Sequence, residues 1–127
     1  MKNRTLTIFL LVTMTLLSIP ALAGDVVKLG LNYPKTGPYE VQGLDQFRAA
    51  SMAVEEINAS GGILGKQVEL VWRDSQSKPD ISKQNAAELI NQEGCSMLFG
   101  GSSSGVAVAV GDVCQQNNVP FFGTLTY

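Results

Sequence analysis

Short apolar stretches alternate along the chain with stretches in which apolar residues recur three or four positions apart. The short stretches predict four buried strands, at residues 26–31, 67–73, 96–100 and 119–122. The longer repeats predict three helices between them, which begin after Gly43, at Pro79 and near Val106. Residues typical of helix ends close the three helices: Gly61-Gly62, Gly94 and Asn117-Asn118.

This β-α-β-α-β-α-β series predicts an α/β fold, a doubly wound parallel sheet with helices on both faces. In the usual strand order the first strand lies between the second and the third, so the direction in which successive strands are added to the sheet reverses there. Ligands bind at the carboxyl ends of the strands beside such a reversal. The rule selects three loops as the candidate site: residues 32–40, 101–105 and 123–127.

Residues 1–23 are predicted to be a signal peptide. Lys2 and Arg4 precede an apolar run at residues 6–19, and Ala21-Leu22-Ala23 is a small-x-small cleavage signal. As a helix, this run spans about 21 Å at ~1.5 Å per residue, short of the ~30 Å hydrocarbon core that a membrane anchor must cross. We therefore expect cleavage after Ala23, and a periplasmic or otherwise exported protein that comprises residues 24–127.

Composition and charge narrow the range of partners. The 127 residues carry a formal charge of only −2, so no nucleic-acid surface is expected and the predicted partner is a small molecule. The chain contains no histidine, which excludes His-ligated metal sites and Ser-His-Asp triads built from this chain alone. No metal, cofactor or catalytic residue is predicted.

The two cysteines, Cys95 and Cys114, leave two alternatives open. Export makes a disulfide chemically possible. The third strand carries the chain away from Cys95, and the following antiparallel helix brings it back. Measured along the strand direction, Cys114 then lies within roughly 5 Å of Cys95. A bridge there would stabilise the fold by roughly 3 kcal/mol. The other alternative is a pair of buried free thiols.

The turn Gly101-Ser102-Ser103-Ser104-Gly105 allows three interpretations. It matches the G-x-S-x-G nucleophile elbow, with Ser103 as the nucleophile of an exported serine hydrolase. Its serines could instead simply cap the helix that follows. We favour a third interpretation, in which the helix amino terminus and the serine hydroxyls bind a carboxylate or an amide oxygen.

Other polar residues sit in the predicted edge loops. Asp74 is expected to cap the loop before Pro79. Three tyrosines, Tyr33, Tyr39 and Tyr127, are expected to form an amphipathic wall for a small organic ligand.

Six motifs along the chain occur together in the order and spacing of one protein family. They are Leu29-Gly30 with Thr36-Gly37-Pro38, Ala53 to Ala59 running into Gly61 to Lys66, Asp74, Leu89-Ile90, Gly100 with Ser103-Ser104, and Val119-Pro120. In these motifs the chain resembles the exported solute-binding proteins of ABC importers, in particular the leucine/isoleucine/valine-binding type with its amide- and urea-binding relatives.

The resemblance implies a non-enzymatic protein with two α/β lobes that close over a ligand, of which residues 24–127 form the N-terminal part of the first lobe. It also implies a membrane permease as partner, and a monomer when the chain is complete. The ligand contacts that it implies fall on Ser104, with Ser103 beside it, and on Leu125 and Tyr127. We expect Tyr127 and Tyr39 to pack against the side of the ligand.

Relatives that bind aliphatic amino acids have a small residue and then a threonine at the positions of Leu125 and Tyr127. The bulkier pair in this chain favours an amide, a urea or an aromatic acid over a branched-chain or other aliphatic amino acid. Two alternative functions remain at this point: the serine hydrolase that uses Ser103, and the ligand-sensing domain of a signalling receptor.

Overall fold

The computed structural model describes residues 25–126. All seven predicted elements are present within this range, whereas the predicted signal peptide, residues 1–23, lies outside it. The elements are β1 (Val27–Tyr33), α1 (Glu40–Ala59), β2 (Val68–Asp74), α2 (Pro79–Asn91), β3 (Met97–Gly100), α3 (Ser104–Gln116) and β4 (Phe121–Gly123).

The strands form one parallel sheet in the order β2-β1-β3-β4. The first strand therefore lies between the second and the third, as predicted. Pairing runs along the whole of β1, from Val27 opposite Val68 to Tyr33 opposite Asp74. The carboxyl ends of all four strands meet at one edge of the sheet, and the three loops selected from the sequence follow β1, β3 and β4 there.

Helices cover both faces of the sheet, as predicted. Alternate side chains of β1 point to opposite faces. Tyr33 stacks on Phe47 of α1, whereas Asn32 donates a hydrogen bond to α2 on the other face. The main apolar core lies between the sheet and the pair α2 and α3. Its buried members are Ala86, Leu89, Cys95, Leu98, Val106, Val110, Val113 and Cys114.

Helix α1 begins at Glu40, earlier than the predicted start after Gly43. Residues 40–42 are exposed and have no apolar repeat, so periodicity gave no signal there. Gly43 lies inside the helix because the helix passes very close to the backbone of Pro34. A Cβ at residue 43 would lie 2.0 Å from the carbonyl oxygen of Pro34, which no other residue type tolerates.

The prediction that Tyr33 lies in a rim loop is wrong. Strand β1 extends through Tyr33, whose side chain is 2% exposed and packs between Phe47 and Trp72 at ring-centroid distances of 5.4 and 5.7 Å. Burial raises the pKa of the Tyr33 phenol, and the nearby carboxylate of Asp74 raises it further. Tyr33 is therefore a neutral core residue and does not contribute to a ligand wall.

Both cysteines are free thiols in the structure, and both are buried in the core between the sheet and α3. Of the two alternatives left by the sequence, the structure therefore contains the unbridged one. Burial raises the pKa of each thiol to about 11. At neutral pH both groups are protonated and shielded, which makes them poor nucleophiles.

We expect Cys95 and Cys114 to resist alkylation by iodoacetamide at pH 8 in the native protein, because the reactive thiolate is scarce and the sulfurs are inaccessible. Peptide mass spectrometry would locate the label. In guanidinium without reductant both residues should be labelled in full. Labelling of neither residue until a reductant is added would show that the two are bridged and would contradict the structure.

Candidate functional site

The carboxylate of Asp74 joins two loops at the carboxyl edge of the sheet. One oxygen accepts hydrogen bonds from the backbone N–H groups of Lys35, Thr36 and Gln76, at 3.0, 3.2 and 2.9 Å, and the other accepts from Thr36 Oγ1 at 2.8 Å. Partial burial raises the pKa of Asp74, but these hydrogen bonds outweigh burial and leave its pKa below the ordinary value. The predicted capping role of Asp74 is confirmed, and it extends to the loop after β1.

A buried pair of asparagines holds the ends of three strands against α2. Asn32, at the end of β1, is fully buried and donates from Nδ2 to the carbonyl of Ser82 at 2.9 Å. Asn85 Nδ2 donates both to Asn32 Oδ1 and to the carbonyl of Asp74, at 3.2 and 2.9 Å. The backbone oxygen of Asn32 accepts from the N–H of Gly101 at 3.0 Å, which fixes the start of the serine turn.

The serine turn caps α3, and its backbone does not have the geometry of a nucleophile elbow. Ser103 is the N-cap residue, and its Oγ accepts from the N–H of Val106 at 3.4 Å. Its backbone is extended, with φ −162° and ψ 161°, and lacks the strained geometry that exposes the nucleophile in an elbow. The Ser103 side chain therefore caps α3, and the hydrolase interpretation loses its geometric basis.

Ser104 follows as the first residue of α3, and its side chain is exposed at the carboxyl edge. The first N–H groups of a helix have no partner within the helix, and they carry a partial positive charge. No acidic side chain stands in the first turn of α3 to neutralise this charge. The turn can therefore attract an anionic group beside Ser104.

One hollow brings Ser104 together with the segment that follows β4. Its volume is about 380 Å³, and it is lined by Ser104, Ala107, Val108, Phe121, Gly123 and Thr126. Of the other predicted contact residues, Leu125 is half-buried and Tyr39 is exposed at the N-terminus of α1, and neither lines this hollow. Tyr127 lies outside the described residues.

Sequence reasoning missed three residues of this edge: Thr126, Asn32 and Gln46. Thr126 lies in a loop that the sequence had selected, so its hydroxyl was an available signal. Asn32 is a polar residue at the end of an apolar strand, which is also a signal. Gln46, whose side chain bonds both to Gly101 and to Thr124, carries no signal because its partners are distant along the chain.

Metal-ligating groups, membrane-spanning helices and other hollows are the remaining candidate features of residues 25–126. Within this range no group of three or more side chains could hold a metal ion, and no helix is both long and apolar enough to cross a membrane. A larger hollow of about 640 Å³ lies between α2 and α3. It is lined by helix residues such as Lys83 and Gln116 and includes none of the three loops that the sequence selected.

Residues 26–127 match the family model described as periplasmic binding protein. The chain belongs to this family. The Leu/Ile/Val-binding protein homolog 7 of Brucella suis biovar 1 (strain 1330) is 38% identical to this chain over 107 residues, which are 84% of this chain and 27% of that protein. The chain thus spans about a quarter of the length of the curated relatives it matches.

Solved structures of periplasmic binding proteins share this fold. The branched-chain amino acid transporter substrate-binding protein LivJ of Streptococcus pneumoniae, in complex with isoleucine, has a TM-score of 0.77 and 30% identity over 80% of this chain and 29% of its own. A solute-binding protein of an ABC transporter from Rhodopseudomonas palustris BisB5, in complex with 3,4-dihydroxybenzoic acid, has a TM-score of 0.74 and 25% identity over 80% of this chain and 28% of its own.

The expected family and fold class are therefore confirmed. These relatives are binding proteins of transport systems and not enzymes, and nothing in the comparisons supports the serine hydrolase or the signalling receptor.

We expect Asp74→Asn to lower the free energy of unfolding by about 1–2 kcal/mol at pH 7, because the amide cannot accept all four hydrogen bonds. The carboxylate has a lower pKa in the folded than in the unfolded protein. Its contribution is therefore complete above about pH 4 and is lost as the pH falls through the folded pKa. In urea unfolding, the difference between Asp74→Asn and wild type should shrink below pH 4.

The matched control is Asp112→Asn, which changes an exposed carboxylate on α3. The loss of unfolding free energy in Asp74→Asn could instead stay constant from pH 7 to pH 2.5, or equal the loss in Asp112→Asn. Either result would show that the hydrogen bonds of Asp74 do not stabilise the edge.

Proposed function

We propose that the complete protein is the exported solute-binding component of an ABC importer, cleaved after Ala23, which delivers a small molecule to a membrane permease. The observation that carries the proposal is the family match over residues 26–127, because it includes the edge where Ser104 and the segment after β4 line one hollow. The relatives named above are substrate-binding proteins of such transporters, which supports the same assignment.

The chemistry of the hollow supports a small carboxylic acid as ligand. The amino terminus of α3 carries a partial positive charge and presents the Ser104 hydroxyl, which together suit a carboxylate. Apolar side chains of Ala107, Val108 and Phe121 line the same hollow and would contact the apolar part of the ligand. Isoleucine and 3,4-dihydroxybenzoic acid, the ligands of the two solved relatives, are both carboxylic acids.

Leu125, Tyr127 and Tyr39 are proposed as further contacts around the ligand. Thr126 lines the hollow and is the chain neighbour of both Leu125 and Tyr127, which supports a place for these two residues beside the ligand. Their bulk supports an aromatic acid over an aliphatic amino acid. Amides and ureas remain the neutral alternatives, since the same amino terminus can bind an amide oxygen.

The proposed mechanism is closure of two lobes about a hinge. The hollow on this lobe is shallow and open, so it covers only one side of a ligand. A second lobe that contacts the other side would make the closed state more favourable when ligand is present. The permease would then recognise the closed form, and a monomer suffices for this cycle.

We expect at least one compound among isoleucine, 3,4-dihydroxybenzoate, simple amides and ureas to raise the melting temperature of the protein expressed from its complete gene. A ligand at 100 times its dissociation constant adds about 2.7 kcal/mol to the free energy of unfolding, a difference that a thermal shift assay detects. No shift with any of these classes would contradict the proposed function.

We expect Ser104→Ala to raise the dissociation constant of the stabilising compound by about ten- to a hundredfold, because a hydrogen bond to a charged group is lost. Isothermal titration calorimetry measures the change. The control is Ser60→Ala, at the C-cap of α1 and outside the hollow, which should leave affinity unchanged. Equal affinities for the two variants would remove Ser104 from the site.

A further inference from the structure

The side chain of Gln46 bridges two segments at the carboxyl edge. It extends from the second turn of α1 and is half-buried. Its Nε2 donates to the carbonyl oxygen of Gly101 at 3.0 Å, and its Oε1 accepts from Thr124 Oγ1 at 2.7 Å. Both ends of the amide are thus used, and the chemistry of the two partners fixes which end faces which segment.

The two partners of Gln46 belong to the two segments that meet at the hollow. Gly101 opens the serine turn that leads to Ser104, and Thr124 lies just before Leu125 and Thr126. They are 55 and 78 residues away from Gln46 along the chain. Helix α1 therefore contacts both segments at once through a single side chain.

Few other interactions hold the segment after β4 in place. Strand β4 has only three residues and pairs with β3 on one side, at the edge of the described sheet. Beyond it, the N–H of Thr124 donates to the carbonyl of Gly100 at 3.1 Å. A short edge strand opens easily, so a side chain that adds a second attachment has a large effect on where the following residues lie.

We propose that Gln46 is a positioning residue, which holds the serine turn and the segment after β4 at a fixed separation and thereby raises affinity for the ligand. The inference rests on the proposed function, because these two segments are the proposed ligand contacts. When the separation is fixed before binding, the ligand does not have to order either segment. Its apparent affinity is then not reduced by protein molecules in which these segments are out of place.

The test compares four variants of the complete protein. Gln46→Leu removes both hydrogen bonds. Gln46→Glu has nearly the same size but cannot donate to Gly101, and Thr124→Val removes only the other hydrogen bond. The matched control is Gln42→Leu, an exposed residue of the same type in the preceding turn of α1. Circular dichroism establishes that each variant is folded.

The first readout is amide hydrogen exchange in the ligand-free protein, which needs no knowledge of the ligand. We expect Gln46→Leu to accelerate exchange about two- to tenfold both at residues 101–105 and at Thr124, as the loss of one or two hydrogen bonds predicts. Gln46→Glu should accelerate exchange mainly at residues 101–105, and Thr124→Val mainly after β4. If Gln46 acted only through packing, Gln46→Glu would leave the exchange rates unchanged.

The second readout is the dissociation constant for isoleucine and for 3,4-dihydroxybenzoate. The constant for whichever compound binds should rise by a similar factor in Gln46→Leu and stay unchanged in Gln42→Leu. Exchange in Gln46→Leu that equals exchange in Gln42→Leu overturns the inference, whatever the affinities. Accelerated exchange in a protein whose wild type binds neither compound upholds the bridge and contradicts the carboxylic acid proposed as ligand.

Discussion

The positions of the loops at the carboxyl edge of the sheet depend on the hydrogen bonds that the polar groups at the buried end of β1 make. Asn32 is enclosed by strands on both sides and by α2, so every one of its hydrogen bonds must come from protein. Its amide bonds to α2 and its backbone oxygen bonds to Gly101, which starts the serine turn. The close approach leaves no room for a side chain at Gly100, where a Cβ would lie 2.4 Å from the oxygen of Asn32. The position of Ser104 thus follows from a constraint in the core.

Three polar residues then attach the loops at this edge to one another. Asn32 fixes the serine turn through its backbone oxygen, Asp74 joins the loops after β1 and β2 through its carboxylate, and Gln46 reaches the segment after β4 through its amide. None of them lines the hollow that contains Ser104. The apolar core supplies most of the stability of the lobe, whereas these residues determine where the loops lie.

Periodicity in the sequence predicted all seven elements, and the usual order of a doubly wound sheet predicted that β1 lies between β2 and β3. The physical reason is that burial of one helix face or one strand requires a regular apolar repeat, which is local information. What the sequence did not reveal depends on contacts between distant residues. Tyr33 packs on an α1 residue, Gly43 is needed for the approach of α1 to Pro34, and Gln46 meets partners in two other loops. No local pattern marks such residues.

The most direct test of the account is a crystal structure of the complete protein grown with the compound that stabilises it most. The account predicts the ligand in the hollow between α3 and the segment after β4, with a carboxylate or amide oxygen within hydrogen-bond distance of Ser104 Oγ or of the first N–H groups of α3. A ligand bound elsewhere, for example between α2 and α3 beside Lys83, or at this edge without contact to α3, would contradict it.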